Sequence, residues 1–368
     1  MGTCNICGKS SVIVSEVLGL CVDCIRKDFE SVWPSLRELH TQSRKRWRLP
    51  SEPPKYQDGK ACNMCIHGCR IREGETGYCG VRRVEGGRFR GGGVNDGNLY
   101  YYFDPLPTNC VASFVCPGSS GCGYPEYSVS SGAEYGYKNL AVFYHACSFN
   151  CLFCQNFHFK EQTFRHISID AETLSDAIDE HTTCICFFGG DPTCQILHSI
   201  ESARLAIKKA KGRPLRICWE TNGSVNKRYL IRMAELAYES GGCIKIDLKA
   251  WNESVHMALC GVSNKRTIEN IILLSEIHKK RREIPLLIVS TLLVPGYVDE
   301  EEIRKISEFL ASLDPHIPYS LLAFYPCFVL NDLPTTSKRH AMKAKEIAQK
   351  AGIKKVHIGN LHLLSEEY

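Results

Sequence analysis

The chain has 368 residues, 44% hydrophobic and 23% charged, with a net charge of +5 from 45 basic and 40 acidic side chains. That is ordinary globular composition, long enough to bury a core without covalent staples and too weakly basic to imply nucleic acid by charge alone. The 21 cysteines are the exception: disulfide scaffolds are usually small and secreted, whereas this chain starts MGTCNICGKS, without an apolar leader core, and groups its thiols in C-x2-C pairs. That is metal-ligand spacing. No apolar run has the length of a bilayer span, and the reading is a cytoplasmic, reduced, metal-rich protein with no membrane segment.

Residues 1–50 hold Cys4, Cys7, Cys21 and Cys24 in C-x2-C-x13-C-x2-C. Four thiolates at nearly zinc-ribbon spacing satisfy one tetrahedral ion, zinc first and a rubredoxin-like iron second. Between the pairs, SSVIVSEVLGL reads as a hairpin and 25–40 as a helix. The run QSRKRWRLPSEPPK (42–55) reads as a solvated basic linker; docking of acidic protein or nucleic acid on Arg44–Arg48 is the weaker alternative. Residues 51–138 hold a second set, Cys62, Cys65, Cys69 and Cys79, in C-x2-C-x3-C-x9-C. Zinc, mononuclear iron and an auxiliary cluster all fit it, and His67 is a stand-in ligand. A glycine-rich passage and an irregular connection with Cys110, Cys116 and Cys122 follow.

From 139 to 330 the texture changes. NLAVFYHA (139–146), CICFFGG (184–190), LRICWET (215–221), CIKIDLK (243–249), PLLIVSTLLV (285–294) and YSLLAFY (319–325) read as buried strands. Segments near 170–181, 195–211, 226–240, 265–282, 299–312 and 337–351 read as helices. Apolar strands alternating with helices imply a parallel sheet covered by helices. The expected fold is α/β, a partial (β/α)6 TIM-type barrel behind an N-terminal cysteine-rich metal-binding region, with a C-terminal helix and strand in 331–368. Cys147, Asp191, Asn222, Lys249 and Pro295 follow the strands, where a barrel gathers its catalytic groups. Cys184, Cys186, Cys218 and Cys243 fall inside apolar strands and read as core. Cys110, Cys116, Cys122, Cys194 and Cys327 have no assigned role; an extra cluster or a thiyl relay is the alternative for them.

The run YHACSFNCLFCQNFHF (144–159) carries Cys147, Cys151 and Cys154. Thiolates select soft metals and iron–sulfur clusters. A closed structural ion or an ordinary ferredoxin cluster takes four protein ligands; three leave one iron of a four-iron cluster open. A zinc knuckle with a distant fourth ligand, or plain buried thiols, are the bland alternatives.

The C-x3-C-x2-C spacing resembles the signature of the radical S-adenosylmethionine (SAM) superfamily. That resemblance implies a [4Fe-4S] cluster on the three cysteines, SAM at the open iron, and a 5′-deoxyadenosyl radical that abstracts hydrogen from a substrate. Phe153 falls where the family packs a residue near the adenine. Gly189-Gly190-Asp191-Pro192-Thr193 resembles its GGEP motif, with Asp in place of Glu; this motif holds the methionine amino group. Thr221-Asn222-Gly223, Asp247-Leu-Lys249 and Val294-Pro295-Gly296 resemble the branch of the pyruvate formate-lyase activating enzyme. Cys69 to Arg82 resembles a string of the AmmeMemoRadiSam group. The resemblance implies SAM binding by Phe153, Gly189 to Thr193, Thr221, Asn222 and Val294, and a reaction chamber with Asp247 and Lys249. Without it, GGDP is also a strand-to-helix turn, and Asp247 with Lys249 a salt-bridged strand end. The implied partners are an electron donor such as ferredoxin or flavodoxin and a protein substrate bearing a glycyl radical. A modifying enzyme for a peptide side chain, RNA or a metabolite is the enzymatic alternative, and a non-catalytic zinc-ribbon binding module is the alternative of another class.

Overall fold

The computed structural model describes residues 1–165 and 167–368. Its front end is built on helices α1 (Val22–Lys27) and α2 (Phe29–Lys45). Ahead of them only Gly2–Thr3 and Ser10–Ser11 pair as strands. The hairpin expected over SSVIVSEVLGL is not formed, because Val14, Leu18 and Leu20 turn into the core instead. Helix α2 also runs through the start of the supposed linker. Its Arg44 is 1% exposed, lies 3.4 Å over the Tyr78 ring and donates from Nε to the Pro50 carbonyl at 2.6 Å. A guanidinium desolvated and bonded in this way is a packing element, which corrects the linker reading.

After three short two-stranded pairings, the chain enters β1 (Gly97–Pro105) and β2 (Lys138–Tyr144). Then come α3 (Ala171–Asp176), β3 (Thr182–Gly189), α4 (Ile196–Ala210), β4 (Arg216–Thr221) and α5 (Lys227–Glu239). The chain continues through β5 (Ile244–Asp247), α6 (Glu253–Cys260), α7 (Lys265–His278) and β6 (Leu287–Leu293). It ends with α8 (Glu300–Leu313), β7 (Tyr319–Ala323), α9 (Lys338–Lys350) and β8 (Val356–Gly359). Strands β2 to β8 are parallel neighbours in sequence order, and β1 lies antiparallel on β2. The C-terminal strand thus joins the sheet as a seventh parallel member. The short strand Ser168–Ile169 pairs antiparallel with the start of β1 and forms one edge of the sheet, β8 forms the other, and among the described residues the two edges do not pair, so the barrel is partial.

The local reasons are ordinary. Strand β6, LIVSTLL, is buried at every position, as a parallel strand covered on both faces must be. Asp299 caps α8 by accepting from Glu302 N, ahead of three acidic residues in the first turn, which suits the positive end of the helix dipole. Helix α6, absent from the sequence expectation, starts where Asn252 accepts from Ser254 N and Val255 N. Among the described residues no helix is long and apolar enough to cross a membrane.

The front end is docked on the barrel. The Tyr297 hydroxyl accepts from Ser15 N at 3.0 Å and donates to the Leu20 carbonyl at 2.7 Å. Arg26 forks onto Asp299 at 2.8 and 2.7 Å and reaches Glu302 at 2.8 Å. Glu302 is 1% exposed, and its carboxylate is held by that guanidinium together with Trp251 N at 2.5 Å and Asn252 N at 3.0 Å. Replacing one member of such a pair strands the other in low dielectric. Arg26→Leu is expected to destabilise the protein by about 3 kcal/mol in urea unfolding and to open residues 1–25 to limited proteolysis; unchanged stability and cleavage would show that the front end is not anchored there.

Candidate functional site

The C-terminal ends of β2 to β6 and the loops after them surround a cavity of about 260 Å³. Cys147, Cys151, Phe153 and Cys154 reach it from the loop after β2, Gly189 to Asp191 from β3, Thr221 and Asn222 from β4, and Asp247 and Lys249 from β5. Pro192, Thr193 and Val294 do not line it; Val294 is fully buried, and from β6 the wall is supplied by Leu292.

The two glycines have a packing reason. Gly189 has φ +113°, and a Cβ there would stand 2.5 Å from Tyr144 N; a Cβ on Gly190 would stand 2.3 Å from the Ala146 carbonyl. Only hydrogen at both positions lets the end of β3 lie against the start of the cysteine loop. Asp191 then works inward. Its carboxylate accepts from Thr193 N at 2.7 Å, Asn222 N at 2.6 Å and the Thr221 hydroxyl at 3.0 Å. Burial pushes its carboxyl upward and those bonds oppose the rise. The acceptors expected to hold an amino group are therefore engaged by the chain, and Asp191 acts as a positioning residue for the β4 turn.

The cysteine loop is clamped from outside. Asn150 N donates to the Cys260 carbonyl at 3.0 Å and Leu152 N to the Leu259 carbonyl at 2.9 Å. A His67 ring nitrogen lies 2.6 Å from the Ser148 carbonyl, so this histidine bonds the loop backbone. Burial, with neighbouring acidic groups, carries the Cys147 thiol well above its ordinary range, and burial takes Cys154 to about 12. A bond with Cys260, at 3.5 Å, and burial raise Cys151 as well. Such thiols do not ionise unaided, and a bound cation is what would draw their protons off. Two buried side chains supply further positive charge: Arg44, and Lys160 at 2% exposure, whose ammonium donates to Asn150 Oδ1 at 3.0 Å. Lys249 lies 2.6 Å from Asp247, which also accepts from the Ser290 hydroxyl. Burial opposes the Lys249 charge, but Asp247 and Cys151 hold the ammonium above its ordinary range.

The front-end thiols divide. Cys4, Cys7, Cys21 and Cys24 bring their ligand atoms within 4.8 Å of one another, the only such group among the described residues. Ligands about 2.3 Å from a tetrahedral ion stand about 3.8 Å apart, and Cys7 and Cys21 are 3.7 Å apart. Cys62, Cys65, Cys69 and Cys79 are not gathered around one ion in this way. A bond from Cys194 brings the Cys79 thiol down to about 6 against its burial. Sequence reasoning missed Cys260, Glu220, Lys160 and Asn150. Glu220 alone had a local signal, the alternation from Cys218 along β4; the others arrive by long-range packing.

The radical SAM superfamily model matches residues 141–310. The chain is 30% identical over 218 residues to the "Putative glycyl-radical enzyme activating enzyme MJ1632" of Methanocaldococcus jannaschii, covering 57% of this chain and 77% of that protein. The chain belongs to the radical SAM superfamily. It is also 26% identical over 316 residues to the uncharacterized protein MJ0808 of the same organism, with 83% of each chain covered. Pyruvate formate-lyase 1-activating enzyme of Escherichia coli K12 is 27% identical over 191 residues, covering 50% of this chain and 73% of that enzyme.

This radical SAM enzyme uses a [4Fe-4S] cluster and SAM. The donor set fits: three thiols face one cavity and leave its open side free, while Cys260, fully buried, stays off the wall. A cluster held by Cys147, Cys151 and Cys154 would supply one-electron reductive chemistry to SAM bound in this cavity. The chain's own residues hold the rest. Asn222 Nδ2 donates to the Ser148 hydroxyl at 2.9 Å, tying the β4 turn to the cysteine loop, and Phe149 and Phe153 give the cavity apolar walls.

Two outcomes follow from these contacts. Asp191→Asn places an amide against Asn222 N or Thr193 N; SAM affinity is expected to fall at least about tenfold, one lost buried bond's worth, while iron content holds. Unchanged SAM binding in an equilibrium assay would remove Asp191 from its positioning role. Burial holds the Lys160 ammonium down at about 8 from 10.5. Because the unfolded chain keeps its proton longer, the penalty is full below pH 8 and is relieved as pH rises from about 8 towards 10.5. Metal-free wild type is therefore expected to gain stability relative to Lys160→Met over that window. A flat difference in a pH series of urea unfolding would contradict the depressed value.

Proposed function

We propose that this enzyme acts on a protein, abstracting hydrogen from a glycine and leaving a glycyl radical on its partner. The observation that carries the reading is a groove beside β8 that runs into the cavity. Val111, Leu322 and Asn360 line both the SAM cavity and a groove bounded by Asn109–Ser113 and His357–His362. The groove runs along β8, between it and the connection after β1, so a peptide segment has a route to the cavity. The names of the relatives from Methanocaldococcus jannaschii and Escherichia coli support the same substrate class. Asp247 and Lys249 stand on the chamber wall, where they orient an incoming backbone without themselves exchanging a proton.

The reading places Phe153, Gly189, Gly190, Thr221 and Asn222 around SAM and Cys147, Cys151 and Cys154 on the cluster. It also places a ribbon metal, zinc, on Cys4, Cys7, Cys21 and Cys24. A low-potential one-electron donor such as ferredoxin or flavodoxin serves it in the cytoplasm, a compartment that keeps its thiols reduced.

The test is anaerobic reconstitution with SAM, a reductant and candidate glycyl-radical proteins. Wild type is expected to form 5′-deoxyadenosine stoichiometrically with a protein radical seen by electron paramagnetic resonance, and Cys147→Ala, Cys151→Ala and Cys154→Ala each to abolish both. Multiple turnovers on a peptide side chain, RNA or metabolite without a protein radical would replace the activase reading by that of a modifying enzyme.

A further inference from the structure

Strand β8 ends the sheet with one side unpaired. Its other side is given to β7. Tyr319 N donates to the Lys355 carbonyl at 2.9 Å, and the register runs from Tyr319 with Val356 to Leu322 with Gly359. That register assigns the backbone groups of Lys355, His357 and Gly359 to β7. In a parallel ladder the residues between them aim their N–H and C=O the other way, so Val356 and Ile358 turn theirs out from the sheet. Among the described residues no backbone group bonds them there.

A free edge is a template for any extended chain, and proteins usually blunt it with charge, proline or a covering segment. The covering segment available here is the connection after β1, and it stops short. Phe114 stacks on the His357 ring at 4.7 Å, yet Asn109 to Ser113 leave a groove of about 430 Å³ beside β8. Among the described residues no Asp, Glu, Lys or Arg lines it, so recognition falls to backbone and shape. Its inner end is marked by Asn360, which lines both the groove and the SAM cavity. Asn360 holds φ +56°, a left-handed conformation that asparagine tolerates better than most side chains. There the chain of β8 turns aside, and the space along its edge continues into the cavity.

We propose that β8 is the docking strand for the substrate protein: an extended, uncharged segment of the partner adds to its free edge, pairs with Val356 and Ile358, and enters the SAM cavity past Asn360. The inference rests on the activase reading and adds to it how the partner is held. A strand added in this way is held by its main chain, while pockets for alternate side chains set its specificity. The partner segment is therefore constrained in size and charge at every second residue and free at the others.

The experiment uses the full chain, reconstituted anaerobically and loaded with SAM, and blocked nine-residue peptides with a central glycine flanked by threonine and serine. Four backbone bonds put their affinity at about 1 mM. At about 5 mM peptide the Val356 and Ile358 amides are expected to exchange hydrogen about sixfold more slowly, read residue by residue by mass spectrometry. The His357 and Gly359 amides, already given to β7, keep their rates. This alternation needs no variant. Ile358→Pro removes an amide that β7 does not use, a change that edge strands accept. It is expected to weaken peptide binding about fivefold, one bond's worth, in fluorescence anisotropy, with SAM affinity and iron content unchanged. Protection of none of the four amides, equal protection of all four, or protection by self-association of the chain without peptide would overturn the proposal. A protein radical formed equally well by wild type and Ile358→Pro, with β8 unprotected, removes the docking strand alone. Alternate protection with no protein radical on any glycyl-radical candidate keeps the docking strand and removes the activase reading.

Discussion

The side chain of Asn150 is the knot on which the radical site depends. It is fully buried in the middle of the cysteine loop. Its Nδ2 lies 3.1 Å from the His40 ring of α2, its Oδ1 accepts from Lys160, and its backbone donates to the end of α6. A loop that presents three thiols at one face of a cavity has few backbone partners of its own and is prone to local opening. Here three distant segments supply those partners, and each bond is made out of contact with water, where leaving it unmade is costly. The front end therefore has a structural part in the radical site as well as a four-thiol site of its own.

Charge is arranged around that knot with the same logic. Burial and neighbouring thiols make the three cysteines reluctant acids, and Arg44 and Lys160 approach them from behind as desolvated cations. A thiolate-bound cluster and two buried cations stabilise one another in a way that neither achieves alone. Asp191 is the counterpart on the other side of the cavity. As a residue shorter than the glutamate of the motif it resembles, its carboxylate reaches Thr193, Thr221 and Asn222 of its own chain, fixing the β4 turn beside SAM.

The barrel interior is also more polar than its strands suggest. The Arg216 guanidinium is paired with Glu134 at 2.6 Å, both nearly inaccessible, and further along the strands Lys245 pairs with Glu220 and Lys249 with Asp247. In most barrels the interior is packed with branched apolar side chains. Here charged pairs and thiols take that place and leave space between them.

Much of this was written in local pattern. Apolar runs and helical periods located the parallel strands, because a two-residue or 3.6-residue repeat is a property of neighbours in sequence. The position of Cys147, Asp191, Asn222 and Lys249 just after those runs placed them at one mouth, since parallel strands all end on the same side. The ribbon thiols were legible for the same reason, their pairs being two residues apart. What the sequence could not decide depends on contacts between distant segments: that Arg44 is buried, and that His67 and His40 brace the cysteine loop. Each of those outcomes is set by which surface packs against which. That is fixed only when the whole chain has closed, and no window of neighbouring residues contains it.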